Sequence, residues 1–406
     1  MPCPARLLRG AGMTRARVST TLLFLIFGIV EASWASRIPL IRTRLGLSDL
    51  GLSVALAGPA IGLLLAARGA PSVVARFRNG QAARAAAVAS AAGLILPALA
   101  WNLLSLTVGL ALWGACLGTL EITMNARGSA LESTHDRSLL SGLHASYSLA
   151  VLGFSPVGAL AARFQISPLL HFTVIAGACV VLALVLGPSP RDQLVPAPRP
   201  PAAREAPARA ALTAHPTLVA LAFIGFCALV AEGSVANWSG VLLRQNDHAS
   251  LALAPFALTA FSSGMVAGRL SGDFLIMRHG HYPMVWRAAV LAAAGMTVGV
   301  ATPSVAVAIV GYVALGLGLS VLIPIVFALS GRAPGVDPVW ALSRMTTATY
   351  IGLFLGPPLI GVVSSAIGLR AALLGVAILL VGVAALGVAG ARRSSGGGPA
   401  DAISDR

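Results

Sequence analysis

The sequence predicts an all-α membrane protein with twelve transmembrane helices, and three observations carry this prediction. Hydrophobic residues make up 57% of the 406 residues and charged residues only 10%, whereas a soluble domain is about 25% charged. The mean hydropathy is +0.87. Apolar stretches long enough to cross a hydrocarbon core of about 30 Å recur twelve times. These values exclude a soluble globular protein and a disordered chain.

The ends of the twelve apolar stretches can be placed in the sequence, and the first stretch shows two signals. The first is followed by Pro39, so we expect its helix to end there. Four arginines precede it, but it runs on into Glu31-Ala-Ser-Trp34 without a small-residue cleavage site, so we expect no cleaved signal peptide. We place the spans at 18–36, 50–68, 82–100, 103–125, 138–162, 168–187, 216–238, 251–272, 284–302, 304–330, 342–366 and 369–391.

The basic residues predict the orientation. All 28 are arginine, and 22 of them fall in alternate connecting segments that include both termini. Because positive charge is retained on the cytoplasmic side, we expect both termini in the cytoplasm and the protein in the inner membrane. The net charge of +15 could also indicate a nucleic-acid partner. We exclude that reading because the arginines lie in small groups between apolar runs.

A proline-rich segment divides the spans six and six. We assign an N-terminal half at 1–187, an extended cytoplasmic linker at 188–215, a C-terminal half at 216–391 and a disordered tail at 392–406. A shift of 200 or 201 residues superposes features of the two halves: Glu31 on Glu232, Gly80 on Gly280 and Gly118 on Gly318. Two six-helix halves related by a pseudo-two-fold axis are an architecture of secondary transporters.

The rarer residue types exclude several chemistries. The chain has no lysine, so it has neither a Walker A lysine nor a Schiff-base lysine. Its seven histidines are scattered and its four cysteines show no metal or disulfide spacing. We therefore expect no enzyme, no metal and no cofactor. The expected driving force is a proton gradient, for which the acids described below are the reason.

A motif that begins near the end of the eighth span resembles the cytoplasmic loop signature of the major facilitator superfamily. It reads Gly268-Arg269-Leu-Ser-Gly272-Asp273-Phe-Leu-Ile-Met-Arg278-His-Gly280, and its first-half counterpart at 76–84 lacks the acid. Arg269 and Asp273 are four residues apart, on one face of a helix. We predict that this pair acts as a conformational latch between cytoplasmic helix ends; the alternative is a plain surface ion pair.

Five further stretches resemble a bacterial branch related to fucose permease-type sugar–proton symporters. They are 32–39, 121–125, 144–148, 231–238 and 356–358. In such transporters, acids on the first and fourth helices take part in substrate binding and proton coupling. The resemblance therefore implies those roles for Glu31 and Glu121, and it suggests a sugar as the solute.

Three acids lie inside apolar spans: Glu31, Glu121 and Glu232. A charged side chain there costs about 2.5–3.5 kcal/mol on insertion scales and faces a cavity or a partner. A carboxyl that alternates between a wet and an occluded environment can bind and release a proton. These residues are our candidates for proton or substrate coupling. The alternative is that they tie helices together by hydrogen bonds.

Seven polar or aromatic side chains are candidates for the substrate cavity. Each has a competing structural role in packing, in anchoring at the membrane interface, or in bonding to its own helix backbone. Gly356-Pro357-Pro358 is predicted to kink the eleventh span. The candidates are Asn125, His144, Tyr147, Asn237, Trp238, Thr347 and Tyr350.

These features together predict a monomeric secondary active transporter that moves a small-molecule substrate across the lipid bilayer by alternating access. Three alternatives remain open. An exporter of drugs or metabolites would share the fold, and a membrane sensor or a membrane enzyme would not transport. A sensor would need a soluble output domain and an enzyme would need clustered catalytic groups; the sequence has neither.

Overall fold

The chain forms helices and divides into two compact units. The computed structural model describes residues 4–76, 79–135, 139–188, 215–245, 249–333, 336 and 338–396. Within these residues the regular structure is helical, which confirms the all-α prediction. One unit comprises Met1–Leu47 and Val54–Pro198, and the other Ser48–Ser53 and Arg199–Arg406. Most of the predicted linker at 188–215, and the tail beyond residue 396, lie outside the described residues.

The first unit is built around a long first helix. Helix α1 packs along α5, and it also contacts α4 and α6; α3 packs along α4 and α6. The indole of Trp113 on α4 donates to the Ser90 carbonyl of α3 at 3.0 Å. The helices are α1 (Pro4–Arg44), α2 (Asp49–Arg76), α3 (Asn79–Gly93), α4 (Leu103–His135), α5 (Leu140–Arg163) and α6 (Pro168–Leu186), with a 3-10 turn at Leu96–Leu99.

The second unit repeats the order of these pairings. Helix α7 packs along α12 as α1 does along α5, and α9 packs along α10 and α13 as α3 does along α4 and α6. Helix α8 packs along α10. The helices are α7 (Pro216–Gln245), α8 (Phe256–His279), α9 (His281–Ala301), α10 (Val305–Leu319), α11 (Leu322–Ser330), α12 (Pro338–Ile367) and α13 (Leu369–Gly396).

Glycines set the closest helix crossings in both units. A Cβ atom at Gly62 of α2 would overlap the carbonyl oxygen of Ala111 on α4. A Cβ at Gly264 of α8 would likewise overlap the carbonyl oxygen of Val313 on α10. Small residues allow backbones to approach this closely inside a membrane, where van der Waals packing drives association. Backbone-to-backbone crossings of this kind therefore help to hold each unit together.

One predicted helix end is wrong, and one helix continues beyond its predicted span. Helix α1 continues through Pro39 to Arg44. The ring removes one backbone donor, but the Thr43 hydroxyl donates to the Pro39 carbonyl at 2.9 Å in the turn that follows. Helix α13 continues past the predicted end of its span at residue 391 to Gly396. Helical backbone bonds do not require apolar side chains, so the helix outlasts the apolar run.

The prolines of the second unit act differently from one another. Pro357 and Pro358 lie inside α12, which is a single helix from Pro338 to Ile367, so the backbone is not interrupted there. The tenth predicted span is instead divided into α10 and α11. The division falls at 320–321, four residues before Pro324. A proline ring clashes with the carbonyl four residues earlier, which explains its position.

Eleven helices of the described chain are long and apolar enough to cross a membrane, by length and composition. They correspond to eleven of the twelve predicted spans, with α10 and α11 counted as one. The remaining predicted span, at 251–272, corresponds to α8, which has 24 residues. Arg269 and Asp273 lie in its second half and shorten its apolar part.

Candidate functional site

The best-defined polar contact in the first unit joins α1 to α5. The hydroxyl of Tyr147 donates to the Glu31 carboxylate at 2.9 Å. Gly28, one turn before Glu31, makes room for this contact, because a Cβ there would lie 2.6 Å from the Tyr147 carbonyl oxygen. Both side chains are half-buried. The structure thus brings together two of the predicted site residues, which lie 116 positions apart in the sequence.

Aromatic rings continue this cluster along α5. His144 lies one turn before Tyr147, and its ring meets the edge of Phe24 at a centroid distance of 5.1 Å. The Tyr147 ring lies 5.6 Å from that of Phe27. Phe24 and Phe27 are buried, whereas His144 is half-buried. The cluster therefore combines one carboxylate, one phenol and one imidazole on the packed face between two helices.

Glu121 and Asn125 lie on the same face of α4, as predicted. Glu121 is buried, with 9% of its surface exposed. The Asn125 amide donates to the backbone carbonyl of Glu121 at 2.9 Å, so one of its two N–H groups serves its own helix.

In the second unit, Glu232 of α7 is half-buried. Arg269 lies on α8, which packs against α7. Sequence spacing pairs Arg269 with Asp273, which is exposed on α8. Glu232 and the arginine of the loop motif thus lie on two helices that contact each other.

Asn237 and Trp238 follow on α7 with different surroundings. The Asn237 amide donates to the Gly233 carbonyl of its own helix at 2.8 Å. Trp238 is fully buried, and its indole donates to the Pro357 carbonyl of α12 at 2.9 Å. A side chain so enclosed packs two helices together, and substrate contact by Trp238 stays a prediction.

The two cavity candidates on α12 lie nearer its surface. Thr347 is exposed and Tyr350 is half-buried. The Tyr350 ring stacks on Phe354 at a centroid distance of 6.2 Å. The neighbouring Thr346 hydroxyl donates to the Leu342 carbonyl of the same helix at 2.9 Å.

The loop motif falls at the end of α8. A Cβ at Gly268 would overlap the Ser320 hydroxyl, so this glycine serves the crossing of α8 with α10. Gly280 alone separates α8 from α9, with a φ of +80° that favours glycine. Its N–H donates to the Ile276 carbonyl at 2.8 Å.

The other members of the motif divide between the buried and the exposed sides of α8. Gly272 is buried, and a Cβ there would lie 2.8 Å from a methyl group of Val321. Arg278 is exposed, as is Asp273. The glycines of the motif thus shape the helix packing and the turn, while two of its charges face outward.

Two arginines that sequence reasoning assigned to loops are fully buried: Arg37 and Arg127. Arg37 donates to the Gly158 carbonyl at 3.5 Å and to the Ile166 carbonyl, around the end of α5. The apolar residues Trp34, Ile38 and Ile41 around Arg37, all buried, are the signal that could have indicated this.

Asp49, which lies outside the predicted spans, also has a defined hydrogen-bond partner. Asp49 lies in the first turn of α2 and accepts a hydrogen bond from the Ser364 hydroxyl of α12. No pattern in the sequence links these two positions. Among the described residues, no group of three or more His, Cys, Asp or Glu side chains could hold a metal ion.

Comparison with known proteins gives relatives along most of the chain. It is 28% identical over 359 residues to an uncharacterised MFS-type transporter of Yersinia pestis, which covers 88% of this chain and 91% of the relative. It is 28% identical over 356 residues to the membrane protein MosC of Rhizobium meliloti, covering 86% and 84%. No protein-family model matches the chain.

Solved structures of transporters share the fold. A D-xylose–proton symporter superposes with a TM-score of 0.71 at 14% identity, covering 92% of this chain and 97% of that one. The nucleoside transporter NupG gives 0.67 at 13%, covering 93% and 98%. A bacterial homologue of the lysosomal transporter Spinster gives 0.68 at 15%, covering 94% and 97%. The chain is therefore similar over most of its length to membrane proteins that include an MFS-type transporter, and it shares the fold of these solved transporters.

Proposed function

We propose that the protein is a secondary active transporter that moves a small polar solute, coupled to protons, by alternating access. In this proposal α8 also crosses the membrane, which brings the number of spans to twelve. The two units are the halves that move, and the chain works as a monomer. Both termini lie in the cytoplasm and the membrane is the inner one.

The observation that carries the proposal is the contact between Glu31 and Tyr147. An intramembrane carboxylate is expensive to insert and therefore marks a functional site by default. The Glu31 carboxylate is half-buried, and the Tyr147 hydroxyl that donates to it belongs to the aromatic cluster. A change of packing between α1 and α5 therefore alters the surroundings of the carboxylate directly. A carboxyl whose surroundings change in this way takes up or releases a proton.

The second unit supplies a comparable acid. Glu232 occupies the position in α7 that Glu31 occupies in α1, according to the internal repeat. Arg269 lies on α8, which contacts α7. Glu121 supplies a third, buried carboxylate on α4. We propose that these three acids share proton and substrate coupling. Asn125, His144, Tyr147, Asn237, Thr347 and Tyr350 are the side chains proposed to contact the solute.

Hydroxylated solutes are the first probes to test. A D-xylose–proton symporter and a nucleoside transporter share the fold, and carboxylate, amide, phenol and hydroxyl groups all bond to hydroxyl groups. D-xylose, D-fucose and uridine are screened against the purified protein from pH 5 to 8. A bound solute raises the unfolding temperature by mass action.

The coupling residues are tested in proteoliposomes with the solute that stabilises the protein. Glu31→Gln, Glu121→Gln and Glu232→Gln keep shape but cannot carry a proton. We expect at least one of them to reduce uptake driven by a pH gradient to the level of protein-free liposomes. The same variant should retain exchange of labelled for unlabelled solute.

Glu132→Gln is the matched control. Glu132 lies at the end of α4 and its carboxylate accepts from the backbone N–H of Leu139 at 2.7 Å, a bond that glutamine can keep. Tyr147→Phe removes only the hydroxyl donor to Glu31, so it should shift the pH dependence of uptake without abolishing exchange. Full pH-driven uptake by all three span variants would exclude proton coupling through these acids.

A further inference from the structure

We propose that Arg37 and His171 bind one small monovalent anion, of the size of chloride, inside the first unit. The site lies where α1, α5 and α6 come together, around Gly158. None of the predicted site residues belongs to it. The inference does not depend on the transport function proposed above.

Arg37 of α1 brings a positive charge into this place. Its side chain is fully buried, and in the described part of the chain its acceptors are the Gly158 and Ile166 carbonyls and no carboxylate. Its third nitrogen, Nε, has no hydrogen-bond partner among the described residues. A guanidinium stays charged at neutral pH. A buried charge is costly unless an opposite charge pairs with it, so the surroundings of Arg37 favour an anion.

His171 of α6 brings a second polar side chain into the same place. It is 5% exposed, and neither of its ring nitrogens has a hydrogen-bond partner within the part of the chain that the structure describes. Its backbone N–H donates to the Ser167 carbonyl at 3.0 Å, so only the ring is left to be satisfied. A neutral imidazole has one N–H donor. That donor and the Nε–H of Arg37 are the two groups that a ligand can use.

Gly158 of α5 is the point at which the two side chains converge. Its carbonyl accepts from Arg37 at 3.5 Å, and a Cβ there would lie 3.7 Å from Cε1 of His171. Cε1 is the ring carbon between the two nitrogens, so this edge of the imidazole lies beside the part of α5 that Arg37 reaches. The same Cβ would overlap the Ser36 hydroxyl, so a glycine at 158 is what lets the three helices meet here.

The start of α6 adds to the preference for a negative charge. The helix begins at Pro168, and the Ser167 hydroxyl caps it by accepting from the Leu170 N–H at 3.2 Å. The helix dipole favours an anion at this end. His171 lies in the first turn, and helical side chains lean toward the N-terminus. A water molecule would satisfy the two donors but not the charge of Arg37, which a halide also balances.

Thermal unfolding measures the site without any solute. Sodium chloride replaces sodium gluconate in steps around the purified protein in detergent, at a constant total salt concentration so that screening is unchanged. Gluconate is too large for an enclosed site. An anion that binds only the folded protein stabilises it by mass action, so we expect the unfolding temperature to rise with chloride along a curve that saturates. The same unfolding temperature in both salts would overturn the proposal.

Two substitutions assign the effect to this site. His171→Phe keeps a ring but removes the N–H donor, and Arg37→Lys keeps the charge but removes the Nε–H. We expect each to raise the half-saturating chloride concentration at least about tenfold, as for loss of a hydrogen bond to a charged group.

His279→Phe and Arg44→Lys are the matched controls and should leave the half-saturating concentration unchanged. His279 lies on α8, with its Nδ1 at 3.1 Å from the Leu275 carbonyl of its own helix, and Arg44 is exposed. A chloride response that is equal in all four variants would contradict the assignment to Arg37 and His171.

Bromide locates the ion in the unsubstituted protein, so the proposal is decided even where a variant does not fold. In crystals grown in sodium bromide we expect an anomalous peak within hydrogen-bond distance of Arg37 Nε and the His171 ring. Peaks at the surface alone, or no peak, would overturn the proposal. A protein that moves no solute but binds the anion loses the proposed function and keeps this site. A protein that transports without a chloride response loses only this site.

Discussion

Arg37 and Arg44 both lie in the C-terminal part of α1, and both donate to backbone carbonyls. The two side chains differ in how deeply they are buried. Arg44 is exposed and donates to the Ala98 and Ala100 carbonyls at 3.1 and 2.9 Å. Arg37 is fully buried and holds the end of α5 through two carbonyls. Buried hydrogen bonds to a charged group are worth more than exposed ones, because the alternative for the charge is an unsolvated site.

Substitution of Arg37 by lysine should therefore destabilise the first unit. A lysine keeps the charge but loses the planar fork that reaches two carbonyls at once. We expect Arg37→Lys to lower the free energy of unfolding by about 2 kcal/mol, measured by thermal unfolding in detergent. Arg44→Lys is the matched control and should cost less than about 1 kcal/mol. Equal effects of the two substitutions would contradict the assigned role of burial.

Helices of this protein pair through glycines, and α8 with α10 is the clearest case. Sequence patterns predicted where these helices lie, because a run of apolar residues suffices to indicate a span. They did not predict which glycines face a neighbour: Gly264 and Gly375 are both ordinary helix glycines in the sequence. Only Gly264 meets another backbone, since a Cβ at Gly375 would find nothing within 4 Å.

The two glycines should respond oppositely to alanine. Gly264→Ala inserts a methyl group against the Val313 carbonyl, and overpacking of this kind costs about 1–3 kcal/mol. Gly375→Ala meets no neighbour and should gain up to about 1 kcal/mol from helix propensity. Fluorescence-detected size-exclusion chromatography after heating measures both shifts. A neutral Gly264→Ala would show that α8 and α10 separate at little cost.

Over the whole molecule, bulk properties were predictable and specific contacts were not. Composition and apolar run lengths predicted a helical membrane protein, because the membrane acts on whole segments. The sequence also selected Glu31 and Tyr147, since polar groups in apolar runs stand out. Asp49 with Ser364, by contrast, depends on where two distant helix ends meet, 315 positions apart in the sequence. No local pattern encodes such a contact.

The positions of the arginines predict the orientation of the whole chain in the membrane. Most arginines lie in alternate connections, so both termini should be cytoplasmic. Green fluorescent protein fused after Arg406 should fluoresce in bacteria, and alkaline phosphatase fused there should be inactive. A phosphatase fusion within the connection between α1 and α2, at Leu47, should be active. The reverse pattern at either site would overturn the twelve-span arrangement.

The buried position of Arg37 also bears on how the chain is made. Its acceptors at Gly158 and Ile166 lie 121 and 129 residues later in the sequence. At a synthesis rate of 5–20 residues per second, the ribosome needs on the order of ten seconds to supply them. During that interval we expect the guanidinium to stay near the lipid headgroups, as a long cationic side chain near a helix end can. Insertion of α1 to its final depth would then be completed only when α5 and α6 have emerged.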